Sequence, residues 1–130
     1  MEAAAKQFKK RNAILQCLRQ TRAHPSAEMV YGLLQQEDPD ISLATVYRNL
    51  SRFKEQGLIQ SLGTVNGVER FDADTHPHVH FICTGCDCVV DLPQMKPPLS
   101  LQEDAQRSLG CRINGCQLTF TGLCSRCQGQ

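Results

Sequence analysis

Ser42-Leu43-Ala44-Thr45-Val46-Tyr47-Arg48-Asn49-Leu50-Ser51-Arg52-Phe53-Lys54-Glu55-Gln56-Gly57 is the stretch on which the fold turns. Ser42 is a good N-cap, the run from Leu43 to Gln56 predicts a helix, and Gly57 suits the left-handed residue that ends one. Two extended runs follow, residues 58–65 and 68–71, with Asn66-Gly67 between them. That dipeptide is the strongest short-range hairpin signal, because both turn residues need positive φ. Upstream, Ile14, Leu15 and Leu18 recur at helical spacing and predict a helix from about residue 4 to 20. His24-Pro25 interrupts it. Ser26 then caps a second helix, Ala27 to about Gln36, with Met29, Val30, Leu33 and Leu34 on its apolar face. Three short helices and a hairpin, in that order, make a winged helix-turn-helix, whose third helix enters the major groove of DNA.

The chain outside this region has a different character. Its 130 residues allow one ordinary domain or two very small ones. Lys+Arg total 14 and Asp+Glu 13, with 41% apolar and 21% charged residues, which is globular rather than disordered usage. Residues 1–71 hold ten Lys+Arg and seven Asp+Glu, while residues 72–130 hold four and six. Seven of the eight Cys lie in the second part. The expected organisation is therefore α+β: a DNA-binding domain over 1–71, a hinge at 72–77 and a metal-binding domain over 78–130. No apolar run is long enough for a membrane span, and Met1-Glu2-Ala3-Ala4-Ala5-Lys6 lacks the pattern of a signal peptide. A soluble, cytoplasmic protein with reduced thiols is expected, in which clustered Cys bind metal.

Two metal constellations follow. Cys83-Thr84-Gly85-Cys86 and Cys124-Ser125-Arg126-Cys127 are C-x-x-C knuckles 37 residues apart. Each points two thiolates to one side of a turn, and together they complete a closed tetrahedral shell for a structural Zn(II); iron would accept the same ligands. Cys17 reads as a packed core thiol; packing is also the favoured reading for Cys88, Cys111 and Cys116, with competition for metal at Cys88 and redox activity at any of the three as the alternatives. The second constellation is mixed. His78-Val79-His80 alternates as a strand would, so both imidazoles face one side, and Cys88-Val89-Val90-Asp91-Leu92 would pair back on it. His24 and Asp72 complete a set of three nitrogens and two oxygens, suited to Fe(II), Mn(II) or Zn(II). Its ligands come from both domains, so bound metal would select one arrangement of them and thereby set DNA affinity.

For DNA itself, the third helix offers Thr45, Tyr47, Arg48, Asn49 and Arg52. Arg and Asn read base edges bidentately, whereas Thr and Tyr serve phosphates or a thymine methyl. Lys9, Lys10 and Arg11 add phosphate contacts from the first helix. A solvated basic helix face would look the same one residue at a time; the helix and hairpin order favours DNA. A formal charge of +1 favours a dimer with a local basic face over strong non-specific binding.

His24-Pro25-Ser26-Ala27-Glu28, Ser42 to Leu50, Gly57-Leu58-Ile59, Arg70-Phe71-Asp72, His78 to Cys86 and Gly122-Leu123-Cys124-Ser125-Arg126-Cys127 together resemble the ferric uptake regulator family of bacterial metal-responsive repressors. The resemblance implies a homodimer paired through its C-terminal α/β domain, zinc on Cys83, Cys86, Cys124 and Cys127, and a regulatory metal on His24, Asp72, His78, His80 and Asp91. It implies operator contacts by Tyr47, Arg48 and Arg11. Aspartate at both carboxylate positions is similar to the peroxide-responsive branch, in which bound Fe(II) reacts with peroxide and oxidises a ligand histidine, by position His24 or His78. The metal-bound repressor then leaves DNA. A zinc- or iron-availability sensor is the alternative within the family. A third metal site found in some members would need ligands where this chain has Pro77 and Val79, so it is expected to be absent. Phe8-Lys9-Lys10-Arg11 departs from the family's usual Thr-Pro-Gln-Arg. A small metalloenzyme using His78, His80 and an acid is the competing class; it lacks a nucleophile–base pair, so no enzyme is expected, and no small-molecule substrate other than peroxide.

Overall fold

Three N-terminal helices, α1 (Glu2–Gln20), α2 (Ala27–Gln35) and α3 (Leu43–Glu55), lead into a hairpin of β1 (Gln60–Val65) and β2 (Val68–Asp72). The structure is a computed structural model describing residues 2–76 and 78–129. Pro77, the end of the expected hinge, lies outside the described residues, as do Met1 and Gln130. The chain divides into two compact units, Met1–Thr75 and His76–Gln130.

Local chemistry explains the first unit's boundaries. Ser26 Oγ accepts the N–H of Met29 at 3.2 Å and Ser42 Oγ that of Thr45 at 3.1 Å, each satisfying an orphan donor of a first turn. Helix α3 ends in a Schellman arrangement: Leu58 N–H donates to Phe53 O at 2.9 Å and Gly57 N–H to Lys54 O at 3.1 Å, around Gly57 at φ +74°. Asn66 and Gly67 both take positive φ, 53° and 79°, as a type I′ turn requires. The pairing shifts register between Ser61 and Thr64, where two residues of β1 oppose one of β2, a bulge that lies across from Arg70.

Ile14, Leu18, Val30, Val46, Leu50, Phe53, Ile59 and Phe71 are buried together and weld the helices to the hairpin. On α2 the buried residues are Ala27, Val30 and Leu34. Met29 and Leu33, expected on that face, are 42% and 55% exposed. The helix is turned so that the stripe at i, i+3, i+7 faces the core, and the pair beside it faces solvent.

The second unit holds β3 (Val79–Cys83), β4 (Val89–Leu92), α4 (Leu99–Leu109) and β5 (Thr119–Gly122), with strand order β4-β3-β5. β3 and β4 are antiparallel with His80 opposite Asp91, and β5 runs parallel to β3 with Gly122 opposite Cys83. Its interior is thin. Among the described residues the buried apolar side chains here are Val79, Cys83 and Val89, and α4 buries none. Leu99, Leu109 and Phe120 are 76%, 73% and 44% exposed. A core this small is the situation in which small units draw on a metal staple or a partner surface. No helix among the described residues is long and apolar enough to cross a membrane.

Candidate functional site

Parallel pairing of β5 with β3 brings the two cysteine knuckles together. Thr84 N–H donates to Gly122 O at 2.8 Å, which seats the second knuckle against the first. One ligand atom from each of Cys83, Cys86, Cys124 and Cys127 lies within 4.8 Å of every other, and Cys86 Sγ is 3.9 Å from Cys124 Sγ. A tetrahedral zinc with bonds of about 2.3 Å needs sulfurs about 3.8 Å apart, so the set fits the ion. Cys83 Sγ accepts N–H groups from Cys124 and Gly85, both at 3.3 Å. The Cys124 amide above all brings the Cys83 thiol down to about 6, making it a thiolate at neutral pH. Bonding to Cys124 and then Cys83 pushes Cys127 up to about 12. Four thiols this close cannot all ionise beside one another; a divalent cation removes that conflict and binds all four as thiolates.

Gly85 shows how tight the closure is. A Cβ there would stand 3.0 Å from Cys127 Sγ and 3.1 Å from its Cβ. We expect Gly85→Ala to keep the fold but weaken zinc affinity by about 10–100-fold, the range for disturbing the groups that orient a metal's ligands. Competition against a chromogenic chelator measures it, and unchanged affinity would mean the knuckles have slack that the spacing denies. Among the remaining thiols, Cys17 packs against the first unit's core, and burial raises it. Cys88 is half-buried beside Cys86, which pushes it up to about 11. Cys111 and Cys116, expected to be packed, are exposed. They lie in the connection after α4, where Arg112, Asn114 and Gly115 offer no apolar cover.

The histidine and carboxylate residues form a half-set in each unit. In the first, His24 Nδ1 is 3.6 Å from Asp72 Oδ1, both buried. Asp74 N–H donates to Asp72 Oδ1 at 2.9 Å. His24 adopts φ +51°, a left-handed conformation uncommon for a residue other than glycine. Arg70 braces this loop: Nε donates to His24 O and Nη2 to Ala23 O at 2.7 Å, while Phe71 N–H donates to Pro25 O at 3.1 Å. Strand β2 thus presents Asp72 and ties down the loop carrying His24. Arg70 is a positioning residue whose role no motif in the sequence marks. Alternation at i, i+2 places Arg70 and Asp72 on one face of β2, but that pattern does not point to the backbone carbonyl groups that Arg70 meets.

In the second unit, His78 Nε2 and His80 Nε2 each approach Asp91 Oδ1 at 3.2 Å, with ring centroids 4.2 Å apart. Both rings do face one side, and β4 supplies the acid opposite. His78 Nδ1 meets His76 O at 2.7 Å. A carbonyl only accepts, so Nδ1 carries a proton, and Nε2 is the nitrogen turned toward Asp91 and available to a metal. Val79, between them, is fully buried and offers no donor.

On α3, Tyr47, Arg48 and Arg52 are exposed and Thr45 is half-buried. Arg48 Nη2 donates to Thr45 Oγ1 at 3.3 Å. Tyr47 OH donates to Glu28 of α2, a contact that holds the Glu28 carboxyl low and the phenol high. Asn49 differs from its neighbours: it is buried, and Nδ2 donates to Thr45 O at 2.9 Å within the helix. The Arg11 guanidinium lies over the Phe53 ring, 5.2 Å from its centroid. A basic surface of guanidinium, hydroxyl and phenol groups results, built on a rigid core.

A sequence profile of the ferric uptake regulator family matches residues 2–121. The chain is 35% identical over 120 residues to the peroxide-responsive repressor PerR of Staphylococcus aureus strain USA300, covering 91% of this chain and 79% of that protein. It superposes on the Campylobacter jejuni peroxide stress regulator with TM-score 0.80 at 29% identity, covering 97% and 94% of the two chains. The ferric uptake regulator of Francisella tularensis with iron gives TM-score 0.75 at 25% identity, covering 91% and 90%.

Proposed function

The chain belongs to the ferric uptake regulator family, and from that premise we propose that this DNA-binding, metal-responsive transcriptional regulator is a homodimeric repressor that senses peroxide through iron. Its relatives are regulators of transcription, not enzymes.

The division of labour follows from the residues. Cys83, Cys86, Cys124 and Cys127 hold a structural zinc. His24, Asp72, His78, His80 and Asp91 hold the regulatory ion, Fe(II) or Mn(II), with Zn(II) as a further candidate. Three imidazole nitrogens and two carboxylates are harder donors than thiolates, so the two sites sort metals by chemistry. Exposed Leu99, Leu109 and Phe120 in the second unit supply the apolar surface for a second copy. Thr45, Tyr47, Arg48, Arg52 and Arg11 contact the operator, with Asn49 bracing the helix from within.

One observation carries the peroxide reading: both carboxylates are short aspartates, Asp72 beside His24 and Asp91 beside His78 and His80. When bound, iron would supply the two-electron reduction of peroxide in which one oxygen leaves as water and the other is added to a neighbouring imidazole, the ring giving up both electrons. This chain's part is to hold His24 and His78 in place to receive it. Arg70 pins the loop of His24, and His76 O fixes the tautomer of His78. An oxidised imidazole no longer offers the same lone pair, so the regulatory ion is lost and operator affinity falls.

The test is peptide mass spectrometry on Fe(II)-loaded protein before and after brief peroxide, with a Mn(II)-loaded control. Oxygen is expected on the peptides holding His24 or His78, with iron alone, and in step with loss of operator binding. Full iron occupancy without added oxygen would replace this reading by a sensor of iron or zinc availability.

A further inference from the structure

Phe8 stands out among the large apolar residues of the first unit, 63% exposed on a helix whose Ile14, Leu15 and Leu18 are buried. Its position is not random. Ala4, Gln7, Phe8 and Arg11 form the i, i+3, i+4, i+7 stripe of α1, and Thr45, Arg48, Asn49 and Arg52 form the same stripe of α3. The two stripes line one groove of about 350 Å³. None of its lining residues is acidic, and three are arginines, so a polyanion is the complementary occupant.

We infer that Phe8 belongs to the DNA-reading surface and seats on a thymine methyl of the operator. The inference rests on the DNA-binding reading above and extends it to a residue that determines specificity. Arginines brought against phosphates and base edges would close water out around the ring. Exposed edges in the major groove are donors and acceptors, with one apolar group among them, the C5 methyl of thymine. An aromatic side chain in a groove that Arg11 and Arg48 also line gains most from that methyl among the groups a base edge presents. Phe8 thereby adds a base preference that α3 alone does not hold.

The probe is a duplex selected from a randomised library by the Mn(II)-loaded full-length protein. Its derivatives replace single thymines by deoxyuracil, which removes only the methyl. Phe8→Ala, on an exposed helix face, keeps the helix by circular dichroism and is expected to bind the selected duplex about 5–10-fold more weakly. At one thymine per half-site, uracil should weaken the unmodified protein by a similar factor and Phe8→Ala by nothing further. Phe8→Leu, still apolar, should retain the discrimination. Unchanged affinity of Phe8→Ala, or a loss that leaves every uracil penalty intact, overturns the inference while leaving DNA binding standing. A wild-type protein that selects no duplex overturns the DNA-binding reading itself, and this inference with it.

Discussion

Replacing Cys83 by Ser should empty the zinc site, unfold the second unit and abolish the dimer while the first unit stays folded. Cys83 is fully buried, its sulfur receives two backbone N–H groups, and it is the ligand most readily present as thiolate. A serine hydroxyl there stays protonated and binds zinc poorly. Structural zinc contributes about 10–16 kcal/mol of binding free energy, while a buried Val side chain contributes ~1.5–3 kcal/mol. Val79 and Val89 cannot replace the ion, and the loss exceeds what marginal stability of about 5–15 kcal/mol absorbs. The first unit draws on a separate core around Ile14, Val46 and Phe53. Hydrogen exchange should therefore show amides of β3 and β5 losing protection while those of α1 and α3 keep it. Zinc content should fall to background and sedimentation should report monomer. A zinc-replete dimer of this variant would show that the four-thiolate assignment is mistaken.

That separation mirrors how the chain could be read. The first unit was legible because its determinants are local: Ser26 and Ser42 cap, Gly57 terminates and Asn66-Gly67 turns, each acting within a few residues. The four thiolates were legible as a set from their spacing, yet not their geometry. That depends on the parallel register of Gly122 against Cys83, a pairing across about forty residues with no local signature. Helix α4 and strand β5 were not foreseen for the same reason; their apolar residues remain at the surface and show no buried stripe to detect. Met29 and Leu33 were placed on the wrong side of α2, because a helix with four neighbouring apolar residues has two plausible core stripes. Exposure of Cys111 and Cys116 depends on what covers a connection, which spacing does not encode. Arg70 was missed because its partners are carbonyl groups of Ala23 and His24, and backbone acceptors leave no mark in a sequence.

Arg70→Ala is expected to have the largest effect in the first unit. The guanidinium is buried and donates to the carbonyl groups of His24 and Ala23 from two different nitrogens. Hydrogen bonds involving a charged group contribute about 1.5–3 kcal/mol each, and removing the donor leaves carbonyl groups with nothing in its place. Together the loss should reach about 3–5 kcal/mol, a Tm decrease of more than about 10 °C for a unit of this size. Lysine keeps the charge but has no planar fork to reach both carbonyl groups, so Arg70→Lys should recover only part of the stability. Stability alone would mark a structural residue. The second readout is Mn(II) affinity, measured below the unfolding temperature. Without Arg70 the loop loses the two donors that brace His24 at φ +51°, and it is expected to relax toward ordinary conformations in which the imidazole leaves Asp72. Metal must then restore that geometry at its own expense, and affinity should fall more than about tenfold, as when a metal ligand's supporting contacts are lost. Asp38→Ala, which alters a surface turn of the same unit, should leave Mn(II) affinity unchanged. An Arg70→Ala protein that loses stability yet binds Mn(II) as tightly as the parent would confine Arg70 to the fold and sever the link drawn between β2 and the metal.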